Sequence, residues 1–393
     1  MKKILCLALA FAMLFCPTHI YAQQSNNAVP VSEDYTPTLS GEEELDCKSV
    51  ILMEANTGAV LYEQNADQAL PPASVTKIMT LLLVMEAIDS GKIKLDDTVV
   101  TSENAASMGG SQIYLEVGEC MSVEDMLKSV IIASANDAAC ALAEHVCGSE
   151  SEFVAQMNKK AAELGMKNTN FENTNGLDDT SVNHVTSARD IAIMSRELIS
   201  HEKILEYSSI WMDTVRGGSF GLTNTNRLVR FYKGCTGLKT GSTDKAGFCI
   251  SATAKRGNVS LICVVMGAPT RDIRNSIATT LLDRGFASFE VYKSEGKTLS
   301  EIPVPGATKK YASASYPSVS FLCEKGKAGA VKMQVSLNED LSAPMRAGDV
   351  IGKVTYTIDG KKLGETEITL DSDVERIGYF ELLFRGISRF FFK

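Results

Sequence analysis

Three short stretches of the chain hold residues that can do covalent chemistry together: Ser74-Val75-Thr76-Lys77, Ser134-Ala135-Asn136 and Lys239-Thr240-Gly241. A serine hydroxyl is a poor nucleophile until a base takes its proton. Histidine is the usual base. Beyond the first 22 residues the histidines are His145, His184 and His201, and each reads as a surface or packing residue with no nucleophile-elbow or triad context. A neutral lysine can serve instead, and burial or a neighbouring cation lowers its pKa toward that state. Lys77 follows Ser74 at i+3 on one helical face, under an apolar helix, with Lys239 as a second cation. Ser134 is then placed to relay a proton to a leaving amine. Asn136 is expected to hold a substrate amide and to orient Lys77. Lys239 adds positive charge beside a substrate carboxylate and the Ser134 hydroxyl. An oxyanion hole needs two N–H donors aimed at one point, and the backbones of Ser74 and Ser242 are expected to supply them.

Each motif alone is weak. Ser-x-x-Lys recurs at Ser200, Ser242 and Ser294, and Ser-x-Asn at Ser25, Ser102, Ser181 and Ser336, whereas Lys-Thr-Gly occurs once. Lone lysines and serines on loops usually face solvent. Context and order separate the candidates: the gaps are 60 residues (74 to 134) and 105 residues (134 to 239), and this ordered set is a signature of class A β-lactamases and penicillin-binding proteins.

The elements that must position these residues follow from periodicity. Ser49 to Met53 and Ala59 to Tyr62 read as strands around the turn Asn56-Thr57-Gly58. Pro71-Pro72-Ala73 leads into an apolar run, Ile78 to Ile88, long enough for a buried helix. Ser122 with Asp125 resembles a capping box, and Val123, Met126, Leu127 and Val130 recur at helical spacing. Residues 122–146 form two helical segments, with Ser134-Ala135-Asn136 at the break. Phe153 to Leu164 and Ala188 to Leu198 are further helices. Residues 235–266 read as three antiparallel strands broken near Ser242–Lys245 and Arg256–Asn258, and Ile273 to Phe289 closes the unit as a helix. Residues 47–292 therefore form an α/β or α+β domain with strands at both ends and helices between. Residues 300–371 read as a small all-β domain.

The two ends differ from this body. Lys2 and Lys3 precede an apolar run, Ile4 to Phe15, too short to span a bilayer, and Ala22 offers a small residue for cleavage, so residues 1–22 read as a signal peptide. Phe15 is too bulky for Cys16 to read as a lipoprotein site. Residues 23–46 are a polar linker. Loss of Lys2 and Lys3 takes the formal charge from −9 to −11, and an acidic body without a basic patch argues against a nucleic-acid partner. Eight cysteines remain, with no CxxC and no Cys/His spacing suited to a metal, and they read as buried free thiols acting as small hydrophobes. In residues 372–393, Ile377, Phe380, Leu383, Phe384, Ile387, Phe390 and Phe391 recur at helical steps opposite Glu381, Arg385, Arg389 and Lys393. Such a stripe lies in a membrane interface rather than crossing it.

At the motif residues the chain resembles the low-molecular-mass D-alanyl-D-alanine carboxypeptidases, penicillin-binding proteins of peptidase family S11. Pro71 to Lys77, Ala133 to Ala139, Asn168 to Leu177, Thr225-Asn226-Arg227-Leu228 and Gly237 to Thr243 carry the resemblance, as does the carboxy-terminal β region. It implies a β-lactamase/transpeptidase-like domain with a five-stranded antiparallel sheet flanked by helices. It implies removal of the terminal D-alanine from peptidoglycan stem peptides through an acyl-enzyme on Ser74, inhibition by β-lactams, and no metal or cofactor. It adds Lys239, Thr240, Gly241, Ser242 and Thr243 as substrate contacts and places the carboxylate-binding arginine at Arg274, with Arg271 a near alternative. Some relatives have His at position 242; only a backbone donor is needed there, so a changed rate rather than lost activity is expected. The implied location is the outer face of the cytoplasmic membrane, reached through the carboxy-terminal helix. A β-lactamase is the nearest alternative, but between Asn136 and Lys239 no glutamate stands four residues before an asparagine to act as its second base. A non-catalytic β-lactam sensor or wall-binding scaffold would have lost Lys77 or Lys239, and both are present.

Overall fold

The computed structural model describes Tyr35, residues 37–39, 44–178 and 181–391. The signal-peptide reading of residues 1–22 and most of the linker lie outside these residues.

The amino-terminal unit is built on one antiparallel sheet. Its strands are β1 (Ser49–Glu54), β2 (Val60–Gln64), β3 (Cys235–Thr243), β4 (Gly247–Arg256) and β5 (Val259–Ala268), in the order β2-β1-β5-β4-β3. The three hairpin pairings, β1–β2, β3–β4 and β4–β5, join consecutive antiparallel strands. The pairing of β1 with β5, Leu52 opposite Cys263, joins segments far apart in the chain. Successive side chains on a strand point to opposite faces. Ile51, Met53, Ile262, Val264 and Met266 therefore enter one core, while Val50, Leu52, Leu261, Cys263 and Val265 enter another. Both faces are covered by helices, which is why β5 reads as a continuous apolar run rather than an alternation.

One face carries α1 (Lys77–Asp89), α2 (Val123–Ile132), α3 (Asn136–Cys147), α4 (Glu150–Glu163) and α5 (Ala188–Leu198). The other carries α6 (Arg271–Ser288), which contributes Ile277, Ala278, Leu281, Leu282 and Phe286. Helix α1 is buried nearly all round, as an interior helix without a polar face must be. Ser122 caps α2 by accepting from the Asp125 N–H at 3.1 Å.

The β unit follows α6 without a linker. Its strands are β6 (Phe289–Ser294), β7 (Lys297–Pro303), β8 (Tyr311–Tyr316), β9 (Val319–Glu324), β10 (Lys332–Leu337), β11 (Val350–Ile358) and β12 (Lys361–Leu370). Five of them form the sheet β7-β8-β12-β11-β10, and β6 pairs with β9. They enclose a separate core in which Tyr356 packs on Phe321 with ring centroids 4.8 Å apart. Phe289 and Leu322 instead join the core under α6 and tie the two units together.

The last helix, α7 (Tyr379–Phe391), starts later than residue 372. Residues 374–377 belong to the β unit: Val374 is buried in its core, Met345 bridges Val374, and Ile377 N donates to Gly306 O at 2.8 Å. On α7, Tyr379, Phe380, Leu382, Leu383, Phe384 and Ile387 are exposed. Among the described residues no helix is long and apolar enough to cross a membrane. All eight cysteines from Cys47 to Cys323 are free thiols, and Cys140, Cys249, Cys263 and Cys323 are buried.

The separateness of the two cores has a measurable consequence. Tyr356 is fully buried, and its hydroxyl bonds Ser294 Oγ at 3.0 Å. Tyr356→Ala should destabilise the β unit by about 3–5 kcal/mol. Calorimetry should show a lowered β-unit transition while the transition of the amino-terminal unit stays in place. Loss of both together would show that the units fold as one.

Candidate active site

The site lies where the edge strand β3 meets the start of α1 and the break between α2 and α3. Ser74 sits in a short 3-10 turn, Ala73–Thr76, that runs straight into α1. Lys77 Nζ lies 2.9 Å from Ser74 Oγ, and it donates to Asn175 O at 2.8 Å. Across the cleft, Lys239 Nζ donates to Ser134 Oγ at 2.9 Å and to Thr240 O at 2.9 Å. Ala73 (φ 49°) and Ser134 (φ 64°) both adopt the left-handed region, which residues other than glycine rarely occupy outside functional turns.

Two glycines allow the close approach. A Cβ on Gly241 would lie 2.8 Å from Ser74 N and 2.9 Å from Pro72 O, so β3 rests against the Ser74 turn only because position 241 has no side chain. A Cβ on Gly176 would lie 1.8 Å from Ala73 O. The first turn of α3 secures the opposite wall. The Asp137 carboxylate accepts from the N–H groups of Ile113 (3.1 Å) and Leu115 (3.0 Å), and Asn136 Nδ2 donates to Gly109 O at 2.7 Å. This holds Ser111 at the cleft.

Electrostatics follow from burial. Lys77 and Lys239 are 0% and 1% exposed. Burial drives the Lys77 amine well below the ordinary lysine range; the Lys239 charge adds to this and Asp137 opposes it. Lys239 is lowered to about 7 by burial and by Arg274. Arg274 is itself lowered to about 10 by burial and Arg271. Its guanidinium bonds Asn275 Oδ1 and Cys249 O, which leaves N–H groups for a ligand out of five.

The cleft has a volume of about 520 Å³ and is lined by Ser74, Ser134, Thr240, Gly241, Ser242, Arg271 and Arg274 among others. Its lining contains three arginines, Arg227, Arg271 and Arg274, and no carboxylate. Lys77, Asn136 and Lys239 lie buried beneath the surface rather than on it. A larger cleft of about 620 Å³ beside Leu83, Val146 and Phe153 holds none of the motif residues. Among the described residues no group of His, Cys, Asp or Glu is placed to hold a metal ion.

One expectation needs correction. Asn136 makes no hydrogen bond to Lys77; the lysine is oriented by Asn175 O, and Asn136 Oδ1 is buried without a partner. Thr243 Oγ1 accepts from Ala246 N at 3.1 Å in the β3–β4 turn, which leaves its own O–H as a donor. Ser111, Trp211, Thr225, Arg227 and Phe248 line the cleft without having been singled out as contacts. The stretches Asn168–Leu177 and Thr225–Leu228 carried a signal only as resembling a family. The structure supplies the reason: Asn175 O holds Lys77, and Thr240 Oγ1 donates to Thr225 Oγ1 at 2.8 Å.

A family model described as D-alanyl-D-alanine carboxypeptidase matches residues 36–270, and one described as penicillin-binding protein 5, C-terminal domain, matches residues 286–376. The chain is 44% identical to the D-alanyl-D-alanine carboxypeptidase DacF of Bacillus subtilis (strain 168), covering 87% of this chain and 90% of the relative. It is 34% identical to DacC of Escherichia coli (strain K12), covering 94% and 91% respectively. Penicillin-binding protein 5 from Haemophilus influenzae superposes with a TM-score of 0.77 at 35% identity, over 86% of this chain and 100% of that one. Penicillin-binding protein D2 from Listeria monocytogenes, in an ampicillin-bound form, gives 0.58 at 34% identity over 63% of this chain and 100% of that one.

The lysine pair gives a signed pH prediction. The Lys239 charge helps to lower the Lys77 pKa, so removing it raises that pKa. Lys239→Met should move the acid limb of the limiting acylation rate to higher pH and slow acylation at neutral pH by about 10–100-fold. Stopped-flow acylation by a chromogenic cephalosporin over a pH series reads both. An unmoved limb would mean that the two amines are not electrostatically coupled.

Proposed function

The chain belongs to the D-alanyl-D-alanine carboxypeptidase family, and from that premise we propose how its side chains carry out the reaction. It is a serine-type D-Ala-D-Ala carboxypeptidase of the penicillin-binding class, acting on peptidoglycan in the bacterial cell envelope.

Ser74 is the nucleophile and neutral Lys77 the base. The observation that carries this reading is the 2.9 Å approach of Lys77 Nζ to Ser74 Oγ beside the 2.9 Å contact of Lys239 with Ser134. Lys77 takes the Ser74 proton as Oγ attacks the carbonyl carbon of the penultimate D-alanine. The oxyanion forms against the N–H groups of Ser74 and Ser242. Ser134 passes a proton to the amide nitrogen, the C–N bond breaks and D-alanine leaves. Water then attacks the acyl ester, its oxygen stays on the shortened peptide and a proton returns to Ser74. Arg274, with Thr240 and Ser242, receives the terminal carboxylate, and the unpartnered Asn136 Oδ1 accepts a substrate N–H. A β-lactam acylates the same serine. With no carboxylate in the cleft lining, its ester lacks a dedicated deacylating base and is long-lived.

The chain is exported by residues 1–22 and held at the outer face of the cytoplasmic membrane by α7. Exposed Phe380, Leu383, Phe384 and Ile387 support this attachment. Each such side chain contributes up to about 1.5–3 kcal/mol on full burial.

Release of D-alanine from a peptide ending in D-Ala-D-Ala tests the activity. Ser74→Ala should abolish both that release and labelling by a fluorescent penicillin, and labelling that persists on another serine would sink the mechanism. Penicillin turnover near 10 per second, a typical enzyme rate of that order, would instead make the chain a β-lactamase. For the anchor, truncation after Gly378 keeps Val374 in its core and should leave peptide cleavage intact. The truncated protein should no longer float with anionic vesicles; full flotation would exclude α7 as the anchor.

A further inference from the structure

His184 is buried against the nucleophile turn and has no part in the chemistry above. Its ring is 6% exposed, with Phe171 edge-on at 5.8 Å. Glu172 N donates to His184 Nδ1 at 3.0 Å, and His184 Nε2 lies 2.8 Å from Thr76 Oγ1. Thr76 Oγ1 in turn donates to Ala73 O at 2.8 Å.

The direction of every proton in this chain is determined. A backbone N–H can only donate, so Nδ1 accepts. A neutral ring then carries its hydrogen on Nε2 and donates it to Thr76 Oγ1. The threonine hydroxyl hydrogen is left for the Ala73 carbonyl. That carbonyl belongs to the same planar peptide as the Ser74 N–H, and the two point in opposite directions. Fixing one aims the other. Ser74 N lies on the side of the turn facing Gly241, at the cleft. Ala73 also holds a left-handed φ of 49°, so the plane is not one the local chain would choose unaided.

We propose that His184, acting through Thr76, is a positioning residue that holds the Ala73–Ser74 peptide so that the Ser74 N–H serves as an oxyanion donor. Burial lowers the His184 pKa to about 4, with Glu172 and Asp178 pulling the other way, so the ring stays neutral near neutral pH and the relay keeps its direction. Ser74 and Thr76 share one turn, and His184 reaches it from 108 residues beyond Thr76. The loop that supplies Asn175 O to Lys77 therefore also aims the oxyanion donor.

This inference rests on Ser74 being the nucleophile, which loss of penicillin labelling in Ser74→Ala decides independently. The test measures the limiting acylation rate and the pre-covalent binding constant for a chromogenic cephalosporin, with a thermal melt for each variant. Losing an oxyanion donor outright costs on the order of 100–1,000-fold, so misaiming one should cost about 10–100-fold. Thr76→Val should lose about that much in the limiting rate and little in binding. Thr76→Ser, which keeps the hydroxyl, should stay within about threefold of wild type on the same scale. His184→Asn keeps an acceptor for Glu172 but cannot reach Thr76, and should lose about tenfold. His184→Gln places an N–H near the Nε2 position and should recover most of that loss. The double variant Thr76→Val/His184→Asn should be no slower than Thr76→Val, because both act on one relay. Acylation of Thr76→Val and His184→Asn within about threefold of wild type would overturn the proposal, as would losses that multiply or that fall in binding alone. If the His184 variants do not fold, the contrast between Thr76→Val and Thr76→Ser decides by itself.

Discussion

Two lysine amines are enclosed in the floor of one cleft, and their hydrogen bonds go to neutral oxygens: Ser74 Oγ and Asn175 O for one, Ser134 Oγ and Thr240 O for the other. Taking an ammonium out of water is costly unless a counter-charge meets it, and the usual response is a lowered pKa. In the proposed mechanism that response is what makes Lys77 usable as a base. The burial is sustained because each lysine grows from a rigid element, α1 or β3, held by apolar cores on both sides of the sheet.

The same constraint explains the surroundings. Every neighbour of the two amines must be polar enough to accept from them and small enough to let the elements close. Gly241 and Gly176 meet the second demand, Asn175 and Ser134 the first. Asp137 is near enough to oppose the fall in the Lys77 pKa, yet its oxygens are occupied by the backbone N–H groups of Ile113, Leu115 and Ala138. It shapes the wall instead of neutralising the base. The charged side chains lining the cleft above are all positive, suited to a substrate that ends in a carboxylate.

The β unit stands apart from this chemistry. Its core forms around Tyr356, Phe321 and Ile351, and it meets the peptidase unit chiefly where Phe289 and Leu322 slot under α6. Residues 374–377 bind it to the root of α7, so the apolar helix leaves from a fixed point on the β unit and not from the catalytic domain.

Much of this was legible in the sequence, because helix and strand periods and short motifs are local properties. The limits of α5 at Ala188 and Leu198, three strands over residues 235–266, the Ser122 cap and the Ser74, Ser134 and Lys239 motifs could all be read directly. The orientation of Lys77 by Asn175 O, the cleft contacts of Trp211 and Arg227, and the contact of His184 with Thr76 could not. The Lys77 and His184 contacts join segments 98 and 108 residues apart at distances under 3 Å. The sequence by itself determined which groups are present and on which kind of element each sits. Tertiary structure alone decided which of them lose water, because desolvation is set by what packs against a side chain from elsewhere in the chain, and it is desolvation that turns an ordinary lysine into a base.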